Sequence, residues 1–540
     1  MRATFFTILL LIATSVLAGP SSYLFRKGVE AFRSEDYDTA LDFFYRELSE
    51  NGENGFAYGY IAEIYLAQNQ LSQANFAIQN ALKLIPKNDN FSVANAYLTR
   101  SSIFLQQNDT TAALNDLTTA ISLNPKKSDF YYSRARIYAS QGKYDLSDKD
   151  YKAMVDLGSE DSPYWGLYYL ASNAISQEKY DEAISYATSA LGKYTSSKFG
   201  VYFIRSVAYL QLKKYSQAAD DVIAAYDQDC TITRLLDCVE VLADSALDVI
   251  EDKVKKQILK SPHAVKWQNL LGETYFSAHK YLAAVNAFKK GLRFDDTAFA
   301  NYRIACLYAT LGLFNQAIEF YNKAIALDPS ASVILLDKAL CLEEGGRTAE
   351  AIGIYNNLAY YYQNDPDFHE ARAHCEMAAL HYDKAATYYS AAIDINPFIN
   401  SYFLYRGHSN KQMGHTDSAI SDFKVAAQSR NTTVAAIALY ALGKQEKAFD
   451  LIEQLTQSDY QYDIYEAACF YAAINDVPNA LEYLHQALEL GYDDFRKIRR
   501  QTEFLKIRNS KEFTDVIDEF LFADTPKPAD TPTAPLGPSL

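Results

Sequence analysis

The chain has 540 residues, and 49% hydrophobic side chains exclude disorder over most of its length. Gly 21 and Pro 14 are low counts for that length, so turns are few and long helices are favoured over a β-rich fold. A formal net charge of −16 repels phosphate backbones and argues against nucleic acid as a partner.

In chain order, residues 1–18 have the pattern of a signal peptide. Arg2 supplies the positive start, Phe5 to Val16 is almost wholly apolar, and Val16-Leu17-Ala18 offers small side chains for cleavage. The apolar run is too short to span a bilayer, and no later stretch suits an integral membrane segment. The expectation is an exported protein.

From residue 21 onward one theme recurs. Gly28 and Ala40 return 34 residues later as Ala62 and Ala74, and Ala392 returns as Ala426. In the stretch Asn301 to Pro329, Ala305 and Tyr308 lie one turn apart on a first helix, and Gly312 ends it. Ala317, Tyr321 and Ala324 then recur at i, i+4, i+7 on a second helix, which Pro329 stops. Small residues mark where the two helices cross, and large aromatics fill the holes beside them.

These residues resemble the tetratricopeptide repeat family. Its pattern is a small residue at repeat position 8, an aromatic at 11, Ala at 20, an aromatic at 24, Ala at 27 and Pro at 32. Ala305, Tyr308, Ala317, Tyr321, Ala324 and Pro329 occupy those places; Ala62, Tyr65, Ala74, Ile78, Ala81 and Pro86 do so earlier. The resemblance implies an all-α fold, an α-α superhelical solenoid of about fourteen helix-turn-helix repeats. Its expected parts are an N-terminal array (19–229), a diverged repeat and possible hinge (230–262), and a C-terminal array (263–490). In the diverged unit Ile250 replaces the small residue, and Val241 and Val254 replace the aromatics. Residues 491–522 resemble the closing element of bacterial arrays of this family and are expected to cap the stack. The basic run Arg496, Lys497, Arg499, Arg500 is expected on the solvated face of that cap. The tail 523–540 is rich in Pro and Thr and is expected to be disordered, as a spacer or an O-glycosylated stretch.

Motifs for chemistry are missing: there is no GxGxxG, GxxxxGK[ST], HExxH or CxxC. No catalytic residue, metal or cofactor is expected. His369, His374 and His381 are badly spaced for one ion. Cys230 and Cys238 are the pair close enough to bridge locally, although unpaired thiols are the simpler expectation.

In the family, first-helix positions 2, 5, 9, 12 and 13 face a concave groove. Carried over, they place Phe25, Phe32 and Phe56 there, then Trp165, Tyr168 and Phe203, then Phe276, Phe299 and Tyr302, and finally Tyr462 and Tyr465. His374 and His408, 34 residues apart, share position 9, where two near-neutral imidazoles could titrate together. Glu63, Arg136, Glu273, Glu343, Glu370 and Lys411 are interspersed. Such a wall suits burial of protein or peptide partners. The resemblance therefore implies a scaffold or adaptor, not an enzyme, in the periplasm or at the surface of a bacterium. An extracellular or secretory-lumen location is the alternative. A glycan-binding accessory protein and a self-assembling structural protein are the rival functions, and the oligomeric state is open.

Overall fold

The computed structural model describes residues 22–158, 162–193, 198–231, 247–523 and 527–528. The signal-peptide segment, most of the tail, Cys238 and much of the diverged repeat lie outside them. Among the described residues there are 29 α-helices, most of them in repeated pairs, and no strand. It forms two compact units, residues 1–253 and 254–540, divided inside helix Leu247–Lys260.

One turn is repeated in both units. The chain leaves each first helix through a residue in the left-handed region at repeat position 15. At Gly312 φ is +70° and no Cβ is strained. Glu35, Asn69, Asn108, Glu178, Lys213, His279, Leu380 and Asn475 adopt the same conformation without that freedom, with φ from 56° to 66°. The next N–H bonds back across the turn, as from Leu313 to the Tyr308 carbonyl at 2.8 Å, so the last orphan carbonyls are satisfied.

Packing between the paired helices follows the small-residue pattern. Gly28, Gly272 and Gly407 hold position 8 in their repeats. A Cβ on them would come within 2.6, 2.6 and 2.8 Å of the Phe44, Phe288 and Phe423 rings. Repeats with Ala at position 8, such as Ala305 and Ala373, set buried Tyr321 and Tyr389 opposite.

A polar bridge adds to this. Arg100, Arg134, Arg205 and Arg406 at position 7 each grip an Asp sixteen residues on: Asp116, Asp150, Asp221 and Asp422. The closest approach is 2.7 Å in every case. Arg134, Arg205 and Arg406 also donate to Thr118, Thr188 and Ser390 on the preceding second helix. Each of these three forks therefore ties two repeats together, with an acceptor for the buried charge.

In both units most first helices of successive repeats touch, whereas second helices meet mainly their own partner and the next first helix. The first helices therefore form the inner wall of each unit.

Candidate functional site

The two inner walls differ. In the C-terminal unit the chain's own final segment lies on the wall. Helix Phe495–Arg500 runs against first helices Ala298–Thr310 and Ser332–Glu344, and the 3-10 helix Thr502–Lys506 runs against Gln461–Ala473. Arg496 pairs with Glu344 at 3.2 Å, and Arg500 approaches the same carboxylate at 3.6 Å. Arg508 meets the Glu343 carboxylate at 3.8 Å and donates to the Glu343 carbonyl at 3.2 Å. Arg499 donates to the Thr310 carbonyl at 2.5 Å, and Tyr405 donates to Glu503 at 2.8 Å. Ile498 and Phe504 are fully buried, and Phe513 and Ile517 nearly so.

The basic run therefore departs from its expected solvated face. Arg496, Arg499 and Arg500 turn inward because Glu344, 152 residues before Arg496, is wholly buried and needs cations beside it. Only Lys497 of the four is exposed. Glu343, Glu344, Thr310 and Tyr465 stand at positions 12, 13, 13 and 5 of their repeats. The segment thus touches positions that the family resemblance assigns to the groove.

Of the candidate groove residues, Phe25 and Tyr465 are buried, and most of the others are partly buried against neighbours. Tyr465 is 1% exposed and stacks on Tyr492 with centroids 4.1 Å apart. Phe276 lies beneath the Arg303 guanidinium at 4.6 Å, and that cation is paired with Glu273 at 2.5 Å. Phe299 stands edge-on to Phe288, and Tyr302 donates to Asp337 at 2.5 Å. Tyr462 keeps an exposed ring beside Tyr460. In the N-terminal unit Phe25 is buried against Phe44 and Tyr60, and Phe32 packs edge-on to Tyr60 at 5.1 Å. Phe56 is partly buried at the edge of the same cluster.

His374 packs against Tyr405 at 5.1 Å and Tyr389 at 5.7 Å, and His408 against Phe423 at 5.2 Å. Burial pushes both imidazoles down to about 4, with Arg508 adding at His374 and Lys411 at His408. Both are neutral near pH 7, so the titrating pair that the sequence left open gives way to two polar wall residues. Burial pushes Glu343 up to about 7 against the pull of Arg508, and pushes Glu370 up to about 7 with help from Asp367.

The signs of these shifts oppose each other. Unfolded Glu titrates near about 4.3 and unfolded His near about 6.5. The raised acids contribute stability that is present below about pH 4.3 and is lost as pH rises through about 7. The depressed imidazoles contribute stability that is present above about pH 6.5 and is lost as pH falls through about 4. Between those limits the two pairs offset. The double variant His374→Leu, His408→Leu removes one side only. Its stability is expected to rise from pH 7 to pH 5, on the order of 1.4 kcal/mol per pH unit for each retained acid. Urea unfolding at the two pH values measures this; a fall in stability on acidification would show the acids to be already ionised.

The N-terminal wall carries an aromatic group from three consecutive first helices, Ser128–Ser140, Ser162–Ser176 and Phe199–Gln211. Trp165 is 42% exposed. Its indole stands edge-on to Tyr168 at 5.6 Å and near-parallel to Tyr169 at 6.1 Å. The Tyr169 hydroxyl donates to that of Tyr132 at 3.2 Å, and Arg136 lies over the Tyr132 ring at 5.5 Å. Tyr168 covers Gly200 of the next repeat, where a Cβ would come within 2.9 Å of its ring, and Phe203 stacks on Phe199. Tyr132 and Tyr169 were not among the residues singled out from sequence, although Tyr132 holds position 5 of its repeat, as Tyr168 and Phe203 do.

Among the described residues no group of His, Cys, Asp and Glu is arranged to hold a metal ion, and no helix is long and apolar enough to cross a membrane. His369 bonds the Gln363 carbonyl and His381 bonds Glu376, so the local histidine cluster splits among separate partners.

Paired helices, a repeated left-handed turn and small-residue crossings define a helical repeat scaffold. Tetratricopeptide repeat models match residues 98–162, 168–230 and 309–375. Over these stretches the chain carries tetratricopeptide repeats. It is 32% identical over 83 residues to a chloroplastic protein of Arabidopsis thaliana, covering 14% of this chain and 25% of that protein. It is 25% identical over 170 residues to human Protein O-mannosyl-transferase TMTC1, covering 31% of this chain and 19% of that one. It is 29% identical over 124 residues to Photosystem I assembly protein Ycf3 of Rippkaea orientalis, covering 22% of this chain and 59% of that protein. The chain thus spans less than two thirds of each of these relatives. Among solved structures, yeast Tom70 is 17% identical with a TM-score of 0.32, covering 92% of this chain and 98% of that one. YrrB, a TPR protein with an unusual peptide-binding site, is 15% identical with a TM-score of 0.32, covering 36% of this chain and 99% of that one.

Proposed function

We propose that the protein is an exported scaffold that holds protein or peptide partners on the inner wall of its N-terminal unit. The carrying observation is the difference between the walls. The C-terminal wall is covered by residues 492–508, whereas the N-terminal wall presents Trp165, 42% exposed, amid Tyr132, Tyr168 and Phe203. Partly exposed, mutually braced aromatics give contact area for little lost entropy. A peptide fits this better than a glycan. Sugar stacking needs flat, open faces, and here Trp165 and Tyr168 stand at 83° to each other. The signal-like residues 1–18 support export, and the ending that resembles bacterial arrays supports the periplasm or cell surface.

Changing Trp165, Tyr168 and Phe203 to Ala is expected to abolish capture of partners from an envelope fraction. Trp165→Ala alone should weaken capture about tenfold or more, with helicity unchanged because the indole is half out in solvent. Undiminished capture by the triple variant would move the site elsewhere.

A further inference from the structure

The loops that lead from one repeat to the next line one edge of the C-terminal unit, because each second helix ends there and each first helix begins there. Three consecutive loops, residues 328–331, 359–365 and 396–399, are tied to one another. Ser332, which follows the first, and Tyr362 of the second share a hydrogen bond of 2.8 Å between their hydroxyls. Tyr402, in the first turn of helix Asn400–Gln412 after the third, interacts with Asp365 and Asp367. Within the second loop the fold uses Tyr362, which stacks on Phe368 with centroids 5.2 Å apart. Its neighbours Tyr360 and Tyr361 are 79% and 75% exposed, and Phe398 of the third loop is 86% exposed. Val333 and Ile399 are exposed as well.

The turn between repeats does not itself require such side chains. The corresponding loops 51–54, 85–89 and 124–127 of the N-terminal unit have no exposed large apolar residue and carry Lys87, Lys126 and Lys127. Single exposed apolar side chains are ordinary, but several on adjoining loops mark an interaction surface. Charge selects what covers it. Residues 328–333, 359–369 and 394–401 contain Asp328, Asp365, Asp367 and Asp394, and no Lys or Arg. Their one histidine, His369, bonds the Gln363 carbonyl at 3.0 Å. Open aromatic faces attract Lys and Arg through the ring quadrupole, and an excess of carboxylates attracts them directly. The same carboxylates repel an anionic membrane surface.

We propose that this edge of the C-terminal unit docks a Lys- or Arg-bearing segment of another protein, whose apolar side chains lie on Tyr360, Tyr361 and Phe398 and whose cations meet Asp367 and Asp394. The surface is separate from the N-terminal wall, and the proposal does not rest on the reading of that wall.

The test uses the full chain and a short labelled peptide of alternating Lys and Phe, with binding read by fluorescence anisotropy. The triple variant Tyr360→Ser, Tyr361→Ser, Phe398→Ser is expected to bind at least about tenfold more weakly, although its net charge is unchanged. All three side chains stand mostly in solvent, so its urea unfolding should match that of the native chain. The double variant Asp367→Asn, Asp394→Asn should also bind more weakly, and a peptide with Glu in place of Lys should not bind. Trp165→Ala should bind the peptide as the native chain does. Absent binding overturns the proposal. Equal binding by the native chain and the triple variant overturns it too, since a chain of net charge −16 attracts any cation. A loss with Trp165→Ala as large as that of the triple variant would move the peptide to the N-terminal wall and overturn the edge as its site. Flotation of the native chain, but not of the triple variant, with phosphatidylcholine vesicles would make the occupant a lipid surface and overturn the basic segment.

Discussion

Deletion of residues 493–522 is expected to unfold the C-terminal unit, not to open a groove in it. Ile498 and Phe504 are 0% exposed and Phe513 and Ile517 are 1% exposed. Burying each such side chain contributes about 1.5–3 kcal/mol. Their joint loss approaches the whole net stability of a domain, about 5–15 kcal/mol. The deletion also leaves Glu343 and Glu344 buried without their arginines. Hydrogen exchange is the direct measurement. Helix Ser332–Glu344 should lose its protection, while peptides of the N-terminal unit keep theirs. A truncated protein that melts like the full chain would show the segment to be a detachable occupant of a preformed groove.

Glu344→Ala is expected to destabilise the C-terminal unit by about 3–5 kcal/mol, because it strands the Arg496 guanidinium in a site where only 15% of that side chain is exposed. Arg500, 36% exposed, can turn to water and contributes less. The double variant Glu344→Leu, Arg496→Leu should recover most of the loss, since a matched apolar pair carries no desolvation cost. Urea unfolding of the single and double variants gives the coupling. Equal losses in the two would mean that the pair is not what holds helix Phe495–Arg500 to the wall.

Much of the architecture was legible from the chain alone. Ala and Gly at positions 8 and 20 and bulky residues at 24 are local, periodic signals, and a helix pair is built from neighbours in sequence. Gly312 announced its left-handed turn. The same turn at Glu35, Leu380 or His279 was not legible, because packing of the pair imposes a conformation that those residues do not favour by themselves. The Arg–Asp forks, sixteen residues apart, were present in the sequence as a spacing but carried no meaning until two helices brought position 7 against position 23.

The candidate site was legible only as a set of positions. Repeat numbering placed Trp165, Tyr168 and Phe203 on the inner face, and it placed Tyr465 and Phe276 there equally, with nothing to distinguish open from covered. The basic run at 496–500 resembled a solvated helix face because charge near a chain end usually is one. Its partner, Glu344, lies 152 residues away, and only the stacked first helices bring the two together. Sequence by itself determined the repeat, its helices and which face turns inward, because those follow from contacts a few residues to one repeat apart. Tertiary structure decided which wall stays free, because that depends on buried ion pairs and apolar contacts between segments that local periodicity cannot relate.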